Sequence, residues 1–176
     1  MKKRKLIATT LFLALSALFV GCSDDDNSVT CTPAYTGELT ENEAFLAGTW
    51  ELSALTSSIE IDLTDDNENN PSTDIFMQQT ECENDIVYIF NTDRTFSYEI
   101  GQSEGLNCSY TDGLDGTWKL TGSTITFNSC FESTRTVEFN DDLTAYSFDS
   151  LAELNGQQFT VTYTFTKATE DIEPAE

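Results

Sequence analysis

The sequence predicts an all-β fold, an antiparallel barrel or sandwich of about eight short strands with little helix. Apolar and polar residues alternate over short stretches, as they do in strands that bury one face. Gly, Asn and Asp separate these stretches, as expected for tight turns between neighbouring strands. The last stretch is the clearest, because Phe159, Val161, Tyr163 and Phe165 alternate with threonines.

The first elements follow from a capping signal and two alternating stretches. Thr40 and Glu43 fit a capping box, which predicts a short helical turn before the strands begin. Trp50 marks the first alternating strand, and residues 59–63 indicate a second one. Residues 64–80 then form a long polar excursion.

The second half of the chain reads as β-structure throughout. Residues 86–90 are continuously apolar, which is consistent with a strand covered on both faces. A turn over 91–94 leads to an alternating strand over 95–100, and 101–113 is predicted to be a loop. Further short strands are predicted over 118–120, 125–127, 137–139 and 146–148, before the final strand over 159–165.

The N-terminus has the pattern of a secretory signal peptide over residues 1–21, with a basic start, an apolar run over 6–20 and Gly21. The apolar run is shorter than the roughly 20 residues that span a bilayer, which disfavours a transmembrane anchor. The segment ending Leu18-Phe19-Val20-Gly21-Cys22 resembles a bacterial lipobox. That resemblance implies cleavage after Gly21 and a membrane anchor on Cys22, whereas the alternative is an ordinary signal peptide with an incidental cysteine.

Composition divides the chain into four parts: the signal peptide 1–21, an acidic tether 22–44, a barrel domain 45–167 and an acidic tail 168–176. The acidic cluster after Cys22 resembles the surface-export signals of Bacteroidota lipoproteins. This resemblance implies a lipid-anchored outer-membrane protein at the cell surface. A plain solvated linker on a protein facing the periplasm is the alternative.

Charge and composition exclude several function classes. The chain has 31 acidic and 8 basic residues, a formal charge of -23 that becomes -27 once the four basic residues of the signal peptide are removed. Such a surface repels phosphates, so nucleic acid is not an expected partner. The chain has no histidine, which removes the commonest general base and the usual zinc ligands. With no nucleotide motif and no activated nucleophile in view, we expect neither a cofactor nor an enzyme.

Four cysteines beyond Cys22 predict two disulfides in an exported chain, with three connectivities open. We favour Cys82–Cys108, because these residues flank a predicted hairpin and could meet across its open end. The remaining pair, Cys31–Cys130, would then tie the tether to the barrel.

Two five-residue motifs, Gly48-Thr49-Trp50-Glu51-Leu52 and Gly116-Thr117-Trp118-Lys119-Leu120, echo each other. The first resembles the opening strand of lipocalins, whose Gly-x-Trp closes the barrel floor. The order of later motifs resembles the lipocalin-like domains of Bacteroidota lipoproteins over residues 45–167; these motifs are Cys82, Phe90, Thr95-Phe96, Cys108, Gly116-Thr117-Trp118 and Ile125-Thr126-Phe127. Arg94, where such turns often carry Gly, and the insertion over 64–74 depart from that pattern.

This resemblance implies an up-and-down barrel with an apolar pocket at one end. The residues expected inside are Trp50, Phe96, Tyr98, Trp118, Phe127, Tyr163 and Phe165. Two functions stay open. The barrel could bind a small apolar or amphipathic molecule, or its rings could fill a solid scaffold whose loops contact another protein or a glycan. A cavity of roughly 300 Å³ or more would favour the first.

The acidic insertion offers a weak cation site at Asp62, Asp65, Asp66 and Asp74. Its alternating acidic and amide residues begin like an EF-hand loop, but Asn70 replaces the required Gly and no helices flank it. An EF-hand is therefore rejected, and a solvated loop is the preferred interpretation.

Overall fold

The computed structural model of the protein describes residues 30–64, 66–103 and 105–169. Within these residues, antiparallel strands form a nearly closed barrel of nine strands, which confirms the predicted fold class. Helix is limited to α1 (Glu41–Ala44), α2 (Glu81–Asn84) and a 3₁₀ turn at Phe76–Gln78. The predicted signal peptide, Cys22 and residues 170–176 lie outside the described residues.

The barrel strands follow one another around the wall in chain order. Their bounds are β1 (Gly48–Ile61), β2 (Ser72–Asp74), β3 (Ile86–Phe90), β4 (Thr95–Ile100), β5 (Asp112–Thr121), β6 (Thr124–Asn128), β7 (Glu132–Thr136), β8 (Glu138–Phe139), β9 (Ala145–Leu154) and β10 (Gln157–Lys167). The order around the sheet is β7-β6-β5-β4-β3-β1-β10-β9-β8, and β2 pairs with β1 outside this path. This is an up-and-down meander, because nearly every strand pairs with its neighbours in sequence.

One continuous segment closes the barrel. β7 pairs with β6, β8 pairs with β9, and Val137 alone separates β7 from β8. The Val137 side chain is buried, and its backbone N–H donates to the Ser123 carbonyl over 2.8 Å. Because the chain changes partner at Val137, β7 and β9 diverge and leave a gap in the wall, which we call the seam.

The first strand is longer than predicted. Residues 59–63 do not form a separate strand, because β1 runs without interruption through Ile61. The pairing register with β10 shifts between Leu52 and Ala54, and the buried face continues at Leu55 and Ser57 rather than at Ala54. A bulge of this kind bends a strand, so β1 serves both the barrel and the extension that β2 covers.

Two tryptophans mark one end of the barrel, which we call the closed end. The side chains of Trp50 and Trp118 are fully buried, and their indole N–H groups donate to the carbonyls of Leu46 and Asn91. β1 begins at this end, and the β3–β4 turn lies there. A side chain at Gly116 would lie 2.3 Å from the Asn128 carbonyl, so close strand packing requires glycine there.

Residues 30–44 lie along the outer wall and are called the strap. The strap begins at the Cys31–Cys130 disulfide, and Tyr35 bonds to Thr117 on β5. It ends in α1, which the predicted capping box at Thr40 begins. Of the residues that the structure describes, no helix has the length and apolar character needed to cross a bilayer.

Both favoured disulfides are present. Cys31–Cys130 joins the strap to the β6–β7 loop, and Cys82–Cys108 joins α2 to the β4–β5 loop at the other end of the barrel, which we call the cavity end. The two disulfides therefore hold the strap at the barrel wall and the loops at the cavity end.

Candidate functional site

Most of the predicted pocket residues pack the core instead of lining a space. Trp50, Phe96, Trp118 and Phe127 are buried in one continuous cluster of rings. Phe96 and Phe127 meet edge to face, with ring centroids 5.0 Å apart. For these four residues the prediction of an inward position is right, but they fill the barrel.

A cavity of about 180 Å³ lies above this core, towards the cavity end. Its lining consists of Ile86, Tyr88, Tyr98, Arg135, Phe148, Ser150, Tyr163 and Phe165. Three of these, Tyr98, Tyr163 and Phe165, are among the predicted pocket residues. The cavity is smaller than the roughly 300 Å³ that would favour a small-molecule site, so its volume alone does not favour ligand binding.

The rings around the cavity hold one another in place. Tyr88 packs against Tyr98 with ring centroids 4.7 Å apart, and Phe148 stacks on Tyr163 at 5.1 Å. The fully buried Phe165 lies beneath them and also contacts Tyr88. The cavity is thus built from rings on β3, β4, β9 and β10, so the register of four strands fixes its shape.

Arg135 brings a positive charge to the cavity. It lies opposite Ile125 in the β6–β7 ladder, and Ile125 and the next inward residue of β7–β8, Val137, are both buried. This register directs the Arg135 side chain inward. Its guanidinium lies over the Phe148 ring, 4.1 Å from the ring centroid.

A cleft of about 600 Å³ opens at the seam, next to the cavity. Arg135 and Phe148 line both spaces and contact each other, so these two side chains lie at the boundary between the cleft and the cavity. The outer part of the cleft is polar, with the carboxylates of Glu138 and Asp149 in its lining. The ring-lined cavity therefore adjoins the cleft at the side of the barrel.

Two tyrosines of the cavity, Tyr88 and Tyr98, stay protonated at neutral pH. Burial raises the pKa of Tyr98 to about 12, and it raises the pKa of Tyr88 despite the opposing charge of Arg135. Tyr146, deeper in the core, also has a raised pKa because of burial. The phenols of Tyr88 and Tyr98 are therefore O–H groups that can donate hydrogen bonds.

Arg135 differs in its contacts from Arg94 and Lys167, whereas Lys119, like Arg135, lies over an aromatic ring. Arg94 pairs with Glu43, Lys119 lies over the Tyr35 ring, and Lys167 donates to the Phe45 carbonyl. Within residues 30–64, 66–103 and 105–169, no carboxylate lies within 4.0 Å of the Arg135 guanidinium, and no hydrogen bond to it is found.

A second groove, of about 620 Å³, lies at the cavity end beside the Cys82–Cys108 disulfide. Tyr110 and the backs of Ile86 and Ile100 line it. The Tyr110 side chain is 63% exposed. At this groove, the β4–β5 loop presents an aromatic side chain to the outside.

The acidic insertion is organised by its own hydrogen bonds. Asp62 accepts from the Thr64 hydroxyl over 2.8 Å, and Asp66 accepts from the Asn70 side chain over 3.1 Å. Hydrogen bonds from the Glu68 backbone N–H and from the Asn70 side chain lower the pKa of Asp66. No group of three or more potential metal ligands occurs in the part of the chain that the structure describes, which includes Asp62, Asp66 and Asp74 but not Asp65.

Most of the chain matches the sequence model of one known family. The sequence model of a family described as "Domain of unknown function (DUF5004)" matches residues 24–168. The chain belongs to the DUF5004 family. No curated protein matches it. The matched DUF5004 region contains the strap, both disulfides and every residue that lines the cavity, so the strap and barrel belong to one family unit.

The sequence did not identify three residues that line the cavity, namely Tyr88, Phe148 and Arg135. The run 86–90 is apolar on both faces, so periodicity could not choose between Tyr88 and its neighbours. β7 has no apolar alternation, and no strand was predicted there. One sequence signal could have placed Arg135 at the cavity. This residue lies two residues before the apolar Val137, and in a strand this spacing puts both side chains on the same face.

Proposed function

We propose that the protein is a lipid-anchored lipoprotein of the cell envelope whose barrel binds a small amphipathic molecule. The observation that carries the proposal is the ring-lined cavity with Arg135 at its junction with the seam cleft. The rings offer an apolar surface and Arg135 offers a polar anchor, which together suit a molecule with one apolar and one polar end. We expect no catalytic step, and the resemblance to lipocalin-like lipoproteins of Bacteroidota points the same way.

The cavity alone would hold a small apolar group. Its volume of about 180 Å³ is similar to that of an engineered protein cavity of about 150 Å³ that binds benzene. The apolar end of the ligand is therefore one ring or a short chain, and the polar end extends towards the seam cleft.

Native mass spectrometry of protein purified from its own envelope tests the binding proposal. We expect a co-purifying small molecule with wild-type protein and its loss in Tyr98→Trp, because the larger ring fills the cavity. Tyr110→Trp is the matched control, since Tyr110 is exposed outside the cavity. An unliganded mass for wild type, with no small molecule retained, contradicts the proposal.

Anchoring rests on the resemblance of residues 18–22 to a lipobox. Replacing Cys22 with Ser should release the protein from the membrane fraction, because the residue that carries the lipid is lost. Retention of the Cys22→Ser variant in the membrane fraction contradicts the anchor.

A second candidate function is a non-catalytic scaffold that contacts a protein or a glycan at the surface. Two observations favour it: aromatic rings fill the barrel core below the cavity, and Tyr110 is exposed at the groove beside the Cys82–Cys108 disulfide. In the same native experiment, a bound partner that Tyr98→Trp keeps and Tyr110→Ala loses supports the scaffold instead of the ligand-binding barrel.

A further inference from the structure

We infer that the polar end of the ligand is an oxyanion, held by the Arg135 guanidinium together with the hydroxyl groups of Tyr88, Tyr98 and Tyr163. This inference rests on the proposed function and adds the chemical class of the ligand. It follows from which hydrogen-bonding groups face the cavity and which are missing from its lining.

The cavity presents donors without dedicated acceptors. Its polar lining consists of one guanidinium, three phenols and the Ser150 hydroxyl. Among the described residues, none of these three phenols has a hydrogen-bond partner, and the guanidinium brings five more N–H donors. No carboxylate, amide oxygen or imidazole side chain of the described residues lines the cavity. The hydroxyl groups can donate or accept, but the guanidinium only donates, so a ligand that supplies acceptors can satisfy the whole set.

The donors act as one group. The phenols of Tyr88 and Tyr98 each interact electrostatically with Arg135 and with Tyr163, so these side chains lie near one another. The raised pKa of Tyr88 and of Tyr98 keeps their protons in place at neutral pH. Hydrogen bonds from protonated phenols and a guanidinium to a charged oxygen are stronger than those between neutral groups.

The protein's own carboxylates do not take this position. Glu138 and Asp149 line the outer cleft, and Asp149 accepts a hydrogen bond from the Thr162 hydroxyl over 2.6 Å. Neither lies within 4.0 Å of the guanidinium among the described residues. In a chain with 31 acidic residues, an inward arginine that pairs with none of them is matched to a charge from outside.

Matched probes with the same ring and chain but a charged or a neutral head group test the inference by isothermal titration calorimetry of the mature protein. The pair is 3-phenylpropanoate and 3-phenylpropanol, which share one ring and a short chain. We expect the acid to bind at least about tenfold more tightly than the alcohol, because it gains charge-assisted hydrogen bonds. Phenyl phosphate serves as a third probe, and its rank against the acid tells a phosphate head group from a carboxylate.

Three variants assign the preference to Arg135. Arg135→Gln should abolish the preference for the acid, and Arg135→Lys should keep part of it because the charge remains. Lys119→Gln changes the net charge equally but lies outside the cavity, over the Tyr35 ring. It should keep the full preference.

The outcomes separate this inference from the function on which it rests. Equal binding of acid and alcohol, unchanged in Arg135→Gln, overturns the oxyanion and leaves a barrel that binds apolar molecules. Binding of none of the probes up to millimolar concentrations overturns both. Equal loss of preference in Lys119→Gln would show a general charge effect and also refute the role of Arg135.

Discussion

One arginine lies at each end of the barrel, and the two side chains are in opposite situations. At the closed end, all five N–H donors of Arg94 have acceptors: the carboxylate of Glu43 and the carbonyls of Gly37, Glu38 and Trp118. At the cavity end, the Arg135 guanidinium has a ring beneath it and no acceptor among the described residues.

This difference distinguishes an arginine that stabilises the fold, Arg94, from one whose hydrogen-bond donors remain available to a ligand, Arg135. Arg94 adopts a positive φ of 71°, which is unfavourable for a residue with a side chain. The bidentate pair with Glu43, with N–O distances of 2.7 and 2.8 Å, offsets that backbone cost and fixes the strap to the closed end. Arg135 has no such structural partner, so its position in the barrel has another reason.

The largest expected effect concerns the disulfides. Replacing Cys31 and Cys130 with Ser should lower the free energy of unfolding by about 4.7 kcal/mol, because the disulfide closes a loop of sequence separation 99. The same change at Cys82 and Cys108, with a separation of 26, should cost about 3 to 4 kcal/mol. Urea unfolding measures both.

The two double variants control for each other, since each removes one disulfide and adds two serines. A larger loss from the Cys82–Cys108 pair would show that the cavity end, and not the strap, contributes more to the stability of the fold.

Removing one partner of the buried ion pair comes next. Glu43→Ala should cost about 3–5 kcal/mol, because it leaves the buried charge of Arg94 without its carboxylate. The loss also removes the acceptor for the Leu120 N–H group. Urea unfolding is again the measurement. Glu41→Ala, at an exposed position in the same helix, is the control and should change little.

Acid should weaken the closed end through the same residue. The hydrogen bonds from Arg94 lower the pKa of Glu43 from 4.5 to about 2, despite the opposing effect of burial. Because the folded state favours the charged form, its stabilisation is complete above pH 4.5 and is lost as pH falls towards 2. The stability difference between wild type and Glu43→Gln should therefore shrink over that interval.

Unfolding curves of both proteins across this pH range provide the measurement. A constant difference between them would mean that the Glu43 carboxyl does not titrate with unfolding. Asp93 and Glu83 also have lowered pKa values, because of hydrogen bonds from Thr95 and Thr80, but both variants retain these groups.

The closed end was largely predictable from the sequence, and the cavity end was not. The capping box at Thr40, the paired Gly-Thr-Trp motifs and the Cys31–Cys130 disulfide depend on local patterns or on counting. At the cavity end, the Cys82–Cys108 disulfide was predicted but most of the cavity lining was not. The cavity depends on the level that each ring reaches inside the barrel, which the strand register and the bulge after Leu52 determine. Local alternation identifies the inward face of a strand but not that level.

The smallest expected effect bears most directly on the comparison between the two arginines. Arg135→Met should change the free energy of unfolding by less than about 1 kcal/mol, because it removes a cation–π contact with Phe148 and no ion pair. Methionine keeps an apolar stem against the same ring. Urea unfolding beside Glu43→Ala makes the test quantitative. If Arg135→Met loses as much stability as Glu43→Ala does, Arg135 holds the barrel together just as Arg94 does. In that case Arg135 would serve the stability of the fold and would not be available to bind a ligand.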